Sequence, residues 1–347
     1  SDVYKRQQLI YNLTMQYCLE IGQSHDGSLG YVYAILKAMS IRNLRIAKFQ
    51  MHFPANESTA QEKFRVNLTG QDRTRADYWK RTGFSIDQWA QIKKWCDEFD
   101  IEFLCTPVST YAVDLLQTLN VKRFKIGSAD LNNFELLHAV ASTNKPIILS
   151  TGMSAFGEIA ESLDFLVRLG AKRIILLQCT SSYPATLEQV GLNVISEFKT
   201  RWPNLSVGYS DHSGLPEVAM WAFSTGAEFV EQHIVFSKEQ FGPDTLASVT
   251  LEDAERVQRF INIGNFLHEK PVNKDYLDSN LLNMRMLFGR GLSVKNRVNK
   301  GDIILLENLT LKKPMSKYGW SNRFEFAGKI ATRDIDPNTH LDYSDIS

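Results

Sequence analysis

VGYSDHSG, residues 207–214, and EFVEQH, residues 228–233, decide the fold. Each reads as a short apolar strand that turns polar at its C-terminal tip. Residues 206–209 run into Ser210, Asp211 and His212, and residues 229–234 carry Glu231 and His233. The two segments lie about one βα unit apart. Two histidines at the tips of neighbouring strands point to a shared metal or a shared substrate.

Outward from this pair the same pattern recurs. Apolar strands are read at 17–22, 44–50, 102–106, 123–128, 146–150 and 173–179. Between them, helical periodicity is read at 29–39, 85–99, 112–119, 134–143 and 156–169. Ser85 caps the second of these helices, with Trp89, Ile92 and Trp95 at helical spacing. The strands are near-continuous apolar runs, as parallel strands buried on both faces require. Eight such units in about 250 residues have the size of an α/β (β/α)₈ TIM barrel. Residues 51–83 are polar, irregular and longer than an ordinary βα loop, so they are expected to cover the site. A helix at 251–267 follows the eighth strand, and from 269 the chain loses its period. From 289 it changes to short alternating segments (LSVK, IILL, LTLK, KIAT) broken by NKGD, KKP and DPNT, the pattern of a small, mostly β module. The expected organisation is a barrel over 1–268, a linker over 269–288 and the β module over 289–347.

Composition narrows the class of partner. Hydrophobic residues at 44% and charged residues at 22% suit a globule with a real core. The 39 basic and 39 acidic side chains cancel, which argues against non-specific binding to nucleic acid or anionic membrane. Cys18, Cys96, Cys105 and Cys179 show no CxxC spacing and read as apolar fillers in a reducing, cytoplasmic setting. No apolar run reaches the roughly 20 residues of a membrane span, and no signal peptide is visible. The opening SDVYKRQ begins with serine and is read as a missing or altered start.

Active sites of such barrels lie at the C-terminal strand ends, and polar residues collect there. Lys48 and Lys125 are each embedded in an apolar strand (IAKFQ, FKIGS), where an unpartnered lysine is seldom buried. They are expected to hold an anion between them, with Thr106, Ser128 and Ser150 adding hydroxyl donors suited to phosphate or carboxylate. A structural ion pair is the alternative. His212 and His233, with Glu231 and Asp211 nearby, suit Mn²⁺, Mg²⁺ or Fe²⁺ better than a four-ligand structural zinc. His25 and His52 lie on loops at the same end. No GxGxxG or GxxxxGK[ST] occurs, so nothing points to dinucleotide or P-loop chemistry. Gly152, in STGM, is read as serving a tight turn.

Taken in order, these pieces resemble the N-acetylneuraminate (sialic acid) synthase family, which includes the pseudaminic and legionaminic acid synthases. The matching segments are EIGQSHDGS, KFQ, Thr106–Pro107, FKIGSADLNNFELL, KPIILSTGM, CTSSYP, VGYSDHSG, EFVEQH and FGPD. The tail, with GDIILLENLTLKKP and GKIATRDI, resembles the antifreeze-like (SAF) domain of that family. The resemblance implies a transferase of carbohydrate biosynthesis. Phosphoenolpyruvate condenses with an N-acylated amino sugar of the ManNAc type, giving a nine-carbon 2-keto acid (a nonulosonic acid) and phosphate. It implies that Lys48, Thr106, Lys125, Ser128, Ser150, Ser181, Tyr183 and Ser210 bind phosphoenolpyruvate. Glu20, Gln50 and Asp244 are implied to face the sugar. Glu20 or Glu231 would transfer protons, and His212 and His233 would hold Mn²⁺ or Mg²⁺. It also implies a homodimer in which the SAF domain closes the partner's site.

Three departures qualify the resemblance. SHDGS, with Ser24 and Asp26, stands where NH(E/N)GS is usual, and Ser181 replaces a frequent asparagine. Lys313, in KKPMSKYG, occupies the place of the arginine in an RPG that reads the substrate's N-acyl group, and lysine lacks its planar fork. Lys317 or Arg323 is a candidate replacement. The reaction type is therefore firmer than the sugar. A related condensation on another aldose, and a sugar- or phosphate-binding barrel without turnover, are the alternatives. Retention of both histidines and both lysines argues against the last.

Overall fold

The computed structural model describes residues 15–66 and 70–347. SDVYKRQ lies outside the described residues. Two compact units meet in sequence between Lys270 and Pro271.

The first unit is a closed barrel. Its strands are β1 (Gln16–Glu20), β2 (Ile46–Met51), β3 (Glu102–Pro107), β4 (Phe124–Ile126), β5 (Ile147–Ser150), β6 (Ile174–Cys179), β7 (Ser206–Asp211) and β8 (Phe229–Val235). Each pairs in parallel with the next, and β1 pairs with β8 to close the ring. A short β9 (Ser248–Thr250) adds to the end of β8, with His233 opposite Ser248.

Period-two alternation sorts the strand residues into two sets. Leu19, Phe49, Leu149, Leu176, Tyr209 and Ile234 belong to the main core that the helices cover. Cys18, Ile46, Leu104, Ile148, Leu177 and Phe229 form a separate apolar cluster, a plug across the barrel interior. Two residues further along the same strands the inward position turns polar: Glu20, Lys48, Thr106, Ser150, Cys179 and Glu231. The plug therefore forms the floor of a polar chamber. Gly208 in β7 is required by that floor. A Cβ there would lie 2.2 Å from the Phe229 carbonyl oxygen and 2.5 Å from a Leu177 methyl.

The outer helices are α1 (Leu29–Ile41), α2 (Pro54–Glu57), α3 (Arg75–Thr82), α4 (Ile86–Glu98), α5 (Thr110–Thr118), α6 (Phe134–Ser142), α7 (Phe156–Arg168), α8 (Asn193–Arg201), α9 (Pro216–Ser224) and α10 (Leu251–Glu269). Residues 51–83 are less irregular than their composition suggested, since α2 and α3 lie within them. Thr74 and Asp77 cap α3 reciprocally, each side chain accepting from the other's backbone N–H at 3.0–3.1 Å.

The second unit has its own core, including Leu292, Val294, Ile304, Leu309, Phe326 and Ile335. It departs from the expected plan in two ways. The segment read as a linker contains a helix, α11 (Ser279–Phe288), capped by Asp278, whose Oδ1 accepts from Leu281 N at 2.8 Å. None of its residues is buried, so no apolar stripe marked it. Strand content is also low. Only β10 (Gly291–Val294) and β11 (Leu309–Lys312) pair as a ladder, and the other contacts between extended segments are isolated bridges. Short 3₁₀ turns at Leu306–Asn308, Trp320–Asn322 and Tyr343–Asp345 break up the alternation.

Among the described residues no helix is long and apolar enough to cross a membrane. All four cysteines are free and buried.

Candidate active site

A cavity of about 390 Å³ opens above the plug. Of the residues singled out from the sequence for the site, all but Glu20, His25, Asp211, Lys313, Lys317 and Arg323 line it. Register explains the convergence. Glu20 lies opposite both Lys48 and His233, Gln50 opposite Thr106, and Ser210 opposite both Cys179 and Glu231.

At the deep end, Lys48 is ion-paired with Glu20 and lies 3.2 Å from Glu231 Oε1. Lys125 Nζ donates to Ser150 Oγ at 2.6 Å and to the Ile126 carbonyl at 3.1 Å, and lies 4.0 Å from Glu231 Oε2. Ser210 Oγ donates to Glu231 Oε1 at 3.3 Å. Burial alone would raise the Glu231 pKa, but the ammonium groups of Lys125 and Lys48 hold it well below the usual carboxylate range. Burial lowers the pKa of Lys125, with Glu231 opposing. The two lysines are thus not a bare anion trap. Each has a carboxylate beside it, because an uncompensated buried charge would cost several kcal/mol. Glu20 is fully buried and serves this pairing: its Oε1 accepts from Gly22 N at 2.6 Å, and it does not reach the cavity wall.

Beside the lysines, Gly152 N donates to Ser128 Oγ at 2.9 Å. Glycine here answers crowding more than turning. A Cβ would fall 2.5 Å from Ser181 Oγ, 2.8 Å from Cys179 Sγ and 3.0 Å from Ser128 Oγ. Three short polar side chains therefore close on bare backbone, leaving a surface rich in small donors beside Lys125.

His212 Nδ1 lies 2.8 Å from the Thr180 carbonyl oxygen and donates to it, which leaves Nε2 as the available ligand atom. Burial works against its protonation, but the Cys179 sulfur, 3.7 Å from Nδ1, and the Thr180 carbonyl outweigh this and raise its pKa. Burial lowers the His233 pKa to about 4, so this imidazole is neutral near pH 7. The two ring centroids are 5.4 Å apart, and Tyr183 packs 4.1 Å from His212 and 5.9 Å from His233. This donor set fits an open two-imidazole cation site. Among the described residues no group of three or more His, Cys, Asp or Glu forms a closed cage. Asp211 does not contribute, since its carboxylate accepts from Ser213 N at 3.0 Å, Ser213 Oγ at 2.8 Å and Gln232 Nε2 at 2.7 Å.

The mouth is built largely by the loop after β2. His52 Nε2 lies 3.3 Å from Gln50 Oε1, and its Nδ1 lies 2.7 Å from Glu57 Oε1. The His52 ring stacks on Trp79 with centroids 3.5 Å apart, and Arg75 lies over Trp79 at 4.0 Å. Arg65 lies over Tyr183 at 4.4 Å and is ion-paired with Asp244. Asp130 also lines the wall, its pKa raised by burial. Sequence reasoning missed Arg65, Arg75, Trp79 and Asp130; the length of the 51–83 loop was the only signal for the first three. His25 stays out of the cavity, its Nδ1 accepting from Gly27 N at 3.0 Å. Lys313 belongs to the second unit, its Nζ 5.4 Å from the Phe288 ring centroid.

Residues 35–267 match the model of the NeuB family. The chain is 30% identical over 327 residues to the N,N'-diacetyllegionaminic acid synthase of Campylobacter jejuni, covering 91% of this chain and 95% of that one. It is 28% identical over 314 residues to the human N-acetylneuraminate-9-phosphate synthase, covering 89% and 86%. Among solved structures, the N-acetylneuraminic acid synthetase of Leptospira borgpetersenii shares the fold. Its TM-score is 0.67 at 24% identity, over 78% of this chain and 90% of that one.

Proposed function

The chain belongs to the NeuB family, and on that premise we propose that it condenses phosphoenolpyruvate with an N-acylated amino sugar to give a nine-carbon 2-keto acid and phosphate. One observation carries the reading: a lysine–serine cradle and a pair of imidazoles share one cavity of about 390 Å³. The cradle suits an anionic three-carbon substrate, and the imidazoles lie where a sugar aldehyde would meet it.

Lys125, Ser128, Ser150 and the groups around Gly152 bind the phosphate and carboxylate of phosphoenolpyruvate. Tyr183 and Gln50 orient the sugar so that its aldehyde carbon faces the nucleophilic methylene carbon. His212 and His233 would hold a divalent cation, Mn²⁺ or Mg²⁺, which when bound supplies Lewis-acid polarisation of a carbonyl. The new bond joins the methylene carbon to the aldehyde carbon, and the aldehyde oxygen takes up a proton. Water then adds at the former enol carbon, and loss of phosphate from that carbon leaves the ketone. Glu231, unlike Glu20, lines the cavity, so it is the carboxylate placed to accept the proton of the attacking water. Glu20, sealed behind Lys48, holds that lysine in place instead. By the same reading the second unit is the SAF domain and the working form a homodimer.

The test is phosphate release from phosphoenolpyruvate with Mn²⁺ and a panel of N-acyl hexosamines. Release that depends on the acceptor is expected. His233→Ala should abolish both metal uptake and turnover while the fold persists. Sugar binding without acceptor-dependent release would instead make the barrel a binding module, and full activity in the variant would remove the metal assignment.

A further inference from the structure

Arg65 has no part in the reaction as derived above, yet it stands at the cavity mouth in a defined posture. Its guanidinium lies 4.4 Å from the Tyr183 ring centroid, and Tyr183 packs 4.1 Å from His212 on the way into the site. Nη2 donates to Asp244 Oδ1 and to the Pro243 carbonyl oxygen, the latter at 3.3 Å. Among the described residues Nε and Nη1 have no partner, and neither does Asp244 Oδ2. Two coplanar guanidinium donors, Nε and Nη1, and a carboxylate oxygen with no partner among the described residues therefore sit close together at the cavity mouth, where the acceptor sugar would lie.

That combination selects one kind of substituent. An N-acylamino group offers a carbonyl acceptor and an N–H donor on one rigid plane, so it satisfies both sides of the pair. A hydroxyl engages the pair without matching both sides on one plane. An ammonium would meet the Arg65 charge, and a phosphate or carboxylate would meet that of Asp244. The bland reading is a latch between two loops. An ion pair with an arginine side chain 41% exposed contributes little to stability, about 0–1 kcal/mol. A latch also needs no guanidinium plane, since a lysine would reach the same carboxylate.

We propose that Arg65 is a specificity-determining residue which, together with Asp244, reads the N-acylamino group of the acceptor. The proposal rests on the synthase reading above. It is tested with wild type, Arg65→Met and Arg65→Lys on two acceptors, an N-acetylhexosamine and the parent hexose bearing a hydroxyl in place of the acetamido group. Arg65→Met should raise KM for the N-acetylhexosamine by about tenfold or more, leave KM for phosphoenolpyruvate nearly unchanged, and erase the preference between acceptors. Arg65→Lys should keep the ion pair but not the preference. If Arg65→Lys behaves as wild type, or if Arg65→Met keeps the wild-type preference, the inference is overturned while the synthase reading stands. If the wild type releases phosphate with no N-acylated sugar, the synthase reading fails and takes this inference with it.

Discussion

Glu231 shows how far single residues could be read from the letters. Its position at a strand tip marked it, but its state depends on two lysines from β2 and β4, which only closure of the barrel brings together. The lysines were legible as buried cations, whereas their carboxylate partners were not assigned. Arg65 lies in a loop without period, so its place over Tyr183 left no trace in the pattern. It also puts a guanidinium at the site from the barrel's own loop, in a chain that carries Lys313 where the resemblance expects arginine. His25 gives a prediction at this scale. Burial, with His52 as a lesser cause, lowers its pKa to about 3, against about 6.5 in the unfolded chain. Between those values the unfolded chain binds a proton that the folded one does not. Stability therefore rises with pH through this window and falls as the solution is acidified from about pH 6.5 towards 3. Urea titrations of wild type and His25→Gln should show the variant losing less stability on acidification, by up to about 1.4 kcal/mol per pH unit. Parallel pH profiles would refute the assignment.

At the scale of elements, the strands were the most legible part of the chain. Burial on both faces writes a strand as an apolar run, and the polar residue two places beyond the plug marks where the chamber begins. Six of the helices that bury a face were legible for the same reason, but Arg75–Thr82, Asn193–Arg201 and Pro216–Ser224 were not read, although each buries part of its surface. The helix Ser279–Phe288 buries none, so its period was silent and the segment read as a linker. Gly208 shows how tightly the plug constrains its strand, with the Phe229 backbone and the Leu177 side chain filling the space beside it. Gly208→Ala is expected to destabilise the barrel by about 1–3 kcal/mol through overpacking, read as a lower urea midpoint with an unchanged slope. A midpoint equal to that of wild type would show that the floor yields more easily than its geometry indicates.

For the molecule as a whole, eight parallel strands in sequence order bring residues from position 23 to position 244 to one mouth. The barrel and its working end were legible because topology, not local detail, fixes which strand ends meet. The mouth was less so, since loop conformation carries no period to read. The second unit was legible as a change of pattern, and its low strand content was not, because alternation also occurs across isolated bridges. The account stands on carbon–carbon bond formation at this mouth. Phosphoenolpyruvate labelled with ¹³C at all three carbons, incubated with the full chain, Mn²⁺ and the best N-acyl hexosamine, tests it most directly by mass spectrometry. All three labelled carbons are expected in one nine-carbon 2-keto acid, formed mole for mole with phosphate. Labelled pyruvate and phosphate without that product would contradict the account.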